Sequence, residues 1–229
     1  MSENSQAMPI ASDKTRPLAE KRIGVLLESL YIPEEIKAYQ DDFPALGARV
    51  ELLSHLWGNS SLEFTSDTNG EMKLPETIQV SLEIDDTKQV RLEDYSAVIM
   101  AANYTSVRLR SFQPPESPQD PPAVRFFARA MRDRNIVKGA LCHGLWILAP
   151  HPELLRGRRV ICHEVVRADV LNAGAIFTAS PDNVVVDDDL VTGHSKADVH
   201  TFIRRIAQAI EVRAGESAQK GGKQCRLNS

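Results

Sequence analysis

Near the start of the chain, a short apolar run, a helix-length polar segment and a second apolar run follow one another, and this succession limits the folds open to it. "RIGVLLE" (22–28) has the length and branched apolar content of a buried strand. "PEEIKAYQDDFPALG" (33–47) predicts a helix: Pro33 suits a first turn, Glu34 and Glu35 favour its positive end, and Gly47 can close it. Pro44 predicts a distorted last turn, and "ARVELLS" (48–54) returns as a strand. A strand, helix and strand in about thirty residues form a βαβ unit with parallel strands and a right-handed crossover.

The alternation continues. "YSAVIMAA" (95–102) and "IVKGALC" (136–142) read as buried strands, and "AVRFFARAMRDRN" (123–135) as an amphipathic helix between them. "RRVICHEVV" (158–166) and "AIFTA" (175–179) read as strands, "NVVVDDDLVTG" (183–193) as a hairpin about Asp187–Asp189, and "SKADVHTFIRRIAQAIEV" (195–212) as a closing helix. Asn69-Gly70 between alternating segments predicts an antiparallel hairpin insertion, and "SFQPPESPQDPP" (111–122) a surface loop. The expected architecture is α/β, a parallel sheet sandwiched by helices with a hairpin insertion. A single domain over residues 21–212 is expected, with flexible tails at 1–20 and 213–229.

Composition narrows the function. The formal charge of −4 provides no basic field for nucleic acid, and no apolar run reaches membrane-spanning length. The N-terminal residues lack the apolar core of a secretory signal, and three thinly spread cysteines make no disulfide framework, so a cytoplasmic protein with free thiols is expected. Asp187, Asp188 and Asp189 are read as turn chemistry, and no metal or other cofactor is expected.

The chemistry concentrates in "KGALCHG", where a strand ends in Cys142-His143-Gly144 and an apolar-rich segment, read as a helix, begins at once. A strand that turns sharply into a helix presents its corner residue above the sheet, and a small residue two positions on lets the helix pass close by. Unpaired amides at the helix start, those of His143 and Gly144, would favour a thiolate and could hold an oxyanion. A base is needed, and His143 and His163 are the candidates; Glu35, just beyond the first strand, could be protonated and hydrogen-bond the sulfur. Cys162 is read as a structural residue and Cys225 as an exposed tail thiol.

These residues resemble the DJ-1/PfpI family over roughly residues 21–212. "KGALCHGLWILA" followed by "LLRGRRV" is similar to the family's Ala-Ile-Cys-His-Gly elbow and next strand, and "ELLRGRRVICH" to a strand ending in an active-site histidine. "PEEIKAYQDDFPALGARVEL" matches the layout of its first helix, with Glu35 at the position of the active-site glutamate. "EDYSAVIMAAN" corresponds to a strand that usually ends in Pro-Gly-Gly; here Met100-Ala101-Ala102 stands there, followed by Asn103.

The resemblance implies a flavodoxin-like fold, Cys142 as nucleophile and oxidation-sensitive thiol, Glu35 as its protonated partner and His143 or His163 as base. It also implies oxyanion or substrate contacts from Ala101, Ala102 and Asn103, and a homodimer or higher homo-oligomer. The expected function is cofactor-independent and cysteine-dependent: a hydrolase or lyase acting on small 2-oxoaldehydes or their protein adducts, in the manner of glyoxalases and deglycases. The alternatives are a peptidase, an isonitrile hydratase-like enzyme and a non-catalytic redox sensor, so the partner is a small molecule or a peptide.

Overall fold

The structure is a computed structural model that describes residues 16–68, 70, 72, 74–111 and 119–227, with side chains described as far as residue 216. The first strand, β1 (Arg22–Leu26), leads through helix α1 (Pro33–Ala45) to β2 (Arg49–Ser54). Strands β3 (Leu62–Thr65), β4 (Thr77–Val80) and β5 (Leu82–Glu83) follow, then β6 (Ala97–Met100), α2 (Thr105–Arg110), α3 (Pro122–Arg132) and β7 (Val137–Leu141). The last part contains β8 (Arg159–Val160), α4 (Glu164–Asn172), β9 (Ile176–Phe177), β10 (Val184–Asp187), β11 (Leu190–Gly193) and α5 (Val199–Leu227).

The main sheet runs β10-β11-β7-β6-β1-β2-β5. All its pairings are parallel except the edge pair β10–β11. Counted along the chain, β2-β1-β6-β7-β11 has the order 2-1-3-4-5, the flavodoxin-like α/β arrangement, whose ligand crevice opens where the order reverses. Alternating side chains of β7 show the two covered faces. A Cβ at Gly139 would meet Phe202 and Ile206 of α5, whereas Ala140 faces the turn that follows Cys142. Helix α1 packs beside α5, with Tyr39 and Phe202 rings 6.4 Å apart, and α2, α3 and that turn pack together on the other face.

Several sequence expectations change in detail. The segment after Cys142 is a five-residue 3-10 turn (Gly144–Leu148) rather than an α-helix. Residues 158–166 hold only the two-residue β8, and from Glu164 the chain is helical: His163 caps α4, and Val166 and Val170 bury one face at helical spacing. The insertion does pair antiparallel, β3 against β4, but the connection spans 66–76 rather than a tight turn, and Asn69 lies outside the described residues. Most of the proline-rich loop (112–118) also lies outside them. Leu18 is fully buried and its amide bonds the Leu46 carbonyl, so packing begins before residue 21, and α5 continues past residue 212.

At the opposite end of the sheet from the β7 corner sits a buried charge network. The Lys138 ammonium of β7 is fully buried and donates to Asp189 and to the Asp133 carbonyl (2.9 Å). Arg158 bonds Asp189 at 2.6 Å and Asp187 at 2.7 Å. Asp187–Asp189 therefore form the expected turn and also hold cations on every side, since Arg159 bonds Asp187 at 3.1 Å and Arg213 bonds Asp188.

Candidate active site

Three strands end around one point. β1 is followed by the start of α1, which carries Glu35; β6 by Ala101, Ala102 and Asn103; and β7 by Cys142, His143 and Gly144. Cys142 has φ 58° and Asn103 φ 64°, both in the left-handed region that a side chain makes costly. The corner at Cys142 is held by its amide, which donates to the Gly193 carbonyl at 2.9 Å, and by its carbonyl, which accepts the His163 amide at 3.2 Å. Gly144 is required where it stands: a Cβ there would lie 3.0 Å from the Met100 carbonyl oxygen and 3.2 Å from the Ala140 Cβ.

Glu35 is completely buried. It accepts the Tyr39 hydroxyl at 2.7 Å and the Ala102 amide with both oxygens at 3.0 Å. Burial raises its pKa to about 7, against the opposing pull of the Tyr39 and Ala102 hydrogen bonds. Tyr39, one helical turn after Glu35, was not singled out in the sequence, although its spacing on the helix was readable.

These contacts correct three expectations. Ala102 was expected to offer its amide to an oxyanion, but that amide is bonded to Glu35; the Ala101 amide is bonded to the Leu26 carbonyl at 3.2 Å. Glu35 was expected to hydrogen-bond the sulfur, yet among the described residues its bonds go to Tyr39 and Ala102. The thiol was expected to ionise readily. Instead burial, reinforced by the nearby Glu35 charge, pushes Cys142 up to about 11, and the backbone amides of Asn103 and His143 only partly offset this.

His143 is the unusual side chain of the site. Both ring nitrogens are buried without a well-formed hydrogen bond among the described residues. Burial and the neighbouring His163 lower its pKa to about 4, with only the Asn103 backbone favouring its charged form, so the ring is neutral at pH 7. Rings surround it: Trp146 stacks on it at 5.1 Å, Tyr104 lies at 5.4 Å, and His163 stands edge-on at 4.9 Å. Tyr104, together with Trp146, which sequence reasoning passed over, thus forms its walls.

His163 is close by, but its Nδ1 accepts the Val165 amide at 3.4 Å as the cap of α4. A neutral His163 in that bond carries its proton on Nε2, which makes Nε2 a donor and not a base. His194 stacks on His163 at 5.9 Å and bonds Glu164 at 3.1 Å. Cys162 is buried in the core with its thiol pushed up to about 12, as its structural reading requires. Among the described residues no group of three or more His, Cys, Asp and Glu side chains is placed to hold a metal ion, and no helix is long and apolar enough to cross a membrane.

Comparison with known proteins places this geometry among relatives. Residues 111–209 match the DJ-1/PfpI family model. A Staphylococcus epidermidis protein, SERP1413, is 28% identical over 191 residues, 83% of this chain and 98% of its own. A Bacillus subtilis protein bearing the provisional name of cysteine protease YraA is 26% identical over 188 residues, 80% of this chain and 95% of its own. A two-domain Anabaena variabilis protein containing DJ-1/ThiJ/PfpI-like and ferritin-like domains superposes with a TM-score of 0.66 at 22% identity. That likeness covers 85% of this chain and 48% of the other, so the chain spans about half of it.

Proposed function

We propose, for a chain that belongs to the DJ-1/PfpI family, that Cys142 is the nucleophile of a cofactor-independent hydrolase or lyase acting on reactive carbonyls, with a 2-oxoaldehyde or its protein adduct as substrate. The observation that carries this reading is the left-handed Cys142 corner, with two backbone amides directed at the sulfur and a buried carboxyl of pKa about 7 beside it.

A thiol pushed up to about 11 is protonated at neutral pH, so attack runs with general-base assistance rather than from a standing thiolate. The sulfur bonds to the aldehyde carbon as its proton passes to a base. Two groups are the candidate acceptors: the neutral His143 ring and Glu35 in its ionised form. The carbonyl oxygen gains the electron pair and is stabilised by the amides of Asn103 and His143, then takes a proton to give a hemithioacetal. Moving a proton from the former aldehyde carbon to the neighbouring carbonyl carbon, through an enediol, yields a thioester of a hydroxy acid. Water then cleaves the thioester, releasing the acid and restoring the thiol.

The name of the B. subtilis relative favours a second reading, peptide hydrolysis, in which the same sulfur and amides serve acyl transfer. One comparison tests both: methylglyoxal, a glycated peptide, an isonitrile and casein are each incubated with the protein and with Cys142→Ala. Lactate formation from methylglyoxal that disappears in the variant supports the first reading. Casein cleavage that disappears instead supports the second, and identical rates for both proteins on every compound would remove the enzymatic reading.

A further inference from the structure

Trp146, which stacks on His143, also lines a cleft of about 300 Å³. Its walls are apolar, with Leu145, Leu148, Leu155 and Val170 among them, and two charged side chains, Arg110 and Asp169, line it as well. Arg110 donates to the Trp146 carbonyl at 3.3 Å and its guanidinium lies 5.9 Å from the indole centre. Asp169 accepts the indole Nε1–H at 2.7 Å. Among the described residues neither charge has an ionic partner, although both are attached to the same indole.

We propose that this cleft is a binding site for a small zwitterion with an apolar side chain, an α-amino acid of the leucine type. The volume is at the low end of small-molecule sites, which limits the occupant to a few heavy atoms beyond a charged head. The apolar walls take an aliphatic chain. A carboxylate alone would be drawn to Arg110 but repelled by Asp169, and an amine alone would meet the reverse, whereas a zwitterion satisfies both. Trp146 forms a wall of the cleft and also stacks on His143, so an occupant braces the indole that orients the catalytic ring. The cleft does not depend on the chemistry assigned to Cys142.

The chain has two tryptophans, Trp57 and Trp146, so Trp57→Phe leaves Trp146 as the sole reporter. This full-length variant is titrated with leucine, 4-methylpentanoate and 3-methylbutylamine, following indole emission and, in parallel, heat of binding. Leucine is expected to saturate at a concentration about tenfold or more below either half-molecule, and Arg110→Gln and Asp169→Asn are each expected to weaken it about tenfold. Asp169→Asn retains an acceptor for the indole, so its effect reads charge. Adding Cys142→Ala should leave leucine binding unchanged. The proposal is overturned by the absence of saturable signal in both measurements, by a half-molecule binding as well as leucine, by either charge variant binding normally, or by loss of binding in Cys142→Ala.

Discussion

The carboxyl of Glu35 takes the Ala102 amide with both of its oxygens, each at 3.0 Å, and the Tyr39 hydroxyl at 2.7 Å. This binds the loop after β6 to the first turn of α1 through one buried acid. Folded, the acid keeps its proton up to about pH 7, whereas the unfolded chain releases it near the ordinary value of 4.5. Stability contributed here is therefore complete below 4.5, falls as pH rises to about 7, and is level above, with a total loss of about 3 kcal/mol. Glu35→Gln keeps an acceptor without the titration. In urea unfolding, the variant should match the parent at pH 4.5 and exceed it by about that amount at pH 8; a constant difference across pH would contradict the assignment.

The raised thiol pKa leads to a reactivity prediction. Alkylation of Cys142 by iodoacetamide should climb with pH and show no plateau below about pH 10, and at pH 8 it should be slower than that of free glutathione. It should still precede Cys162, whose thiol is pushed up to about 12 and whose side chain is 1% exposed against 8% for Cys142. Glu35→Gln removes the neighbouring negative charge and should speed Cys142 labelling at pH 8. Peptide mass mapping of timed samples reads all three, and a plateau near neutral pH would show a standing thiolate.

Backbone strain at the corner can be measured separately from the chemistry. With φ at 58°, Cys142 occupies a region that glycine enters freely and alanine does not. Cys142→Gly should therefore be about 1 kcal/mol more stable than Cys142→Ala in denaturant titration, although it has the smaller side chain. Equal stabilities would mean that the corner relaxes when the sulfur is removed.

Gly144→Ala tests the close pass after the corner. The added methyl would press on the Met100 carbonyl oxygen and the Ala140 Cβ, neither of which is the end of a flexible chain. A destabilisation of about 1–3 kcal/mol is expected, together with slower turnover in the reaction proposed above as the 3-10 turn shifts. Parental stability would place the turn farther from β6.

Much of this was legible in the sequence, and what was missed has identifiable physical causes. β1, α1, β2 and β7 were readable because local pattern and tertiary role agree: apolar runs become central strands, and Pro33 and Gly47 punctuate a helix. Residues 164–166 were misread because adjacent valines suggest a strand, whereas the burial of Val166 and Val170 alone at i and i+4 decides for a helix. The convergence of Glu35, Cys142 and both histidines was readable from strand ends. The engagement of the Ala102 amide was not, because a backbone donor carries no letter in the sequence. The thiol's raised pKa was missed for a related reason: two amides favour the anion, but the surrounding desolvation outweighs them, and desolvation is a property of the assembled core.

The buried ammonium of Lys138 sets the register of the strand that ends at Cys142. Sliding β7 by a single residue would turn Lys138 toward the opposite face of the sheet and leave Asp189 with one cation fewer, exchanging a compensated charge for an uncompensated one. The far end of β7 therefore acts as an anchor: four residues from that fastening the sulfur arrives at one fixed height, so its placement is decided at the floor of the molecule as well as at its rim.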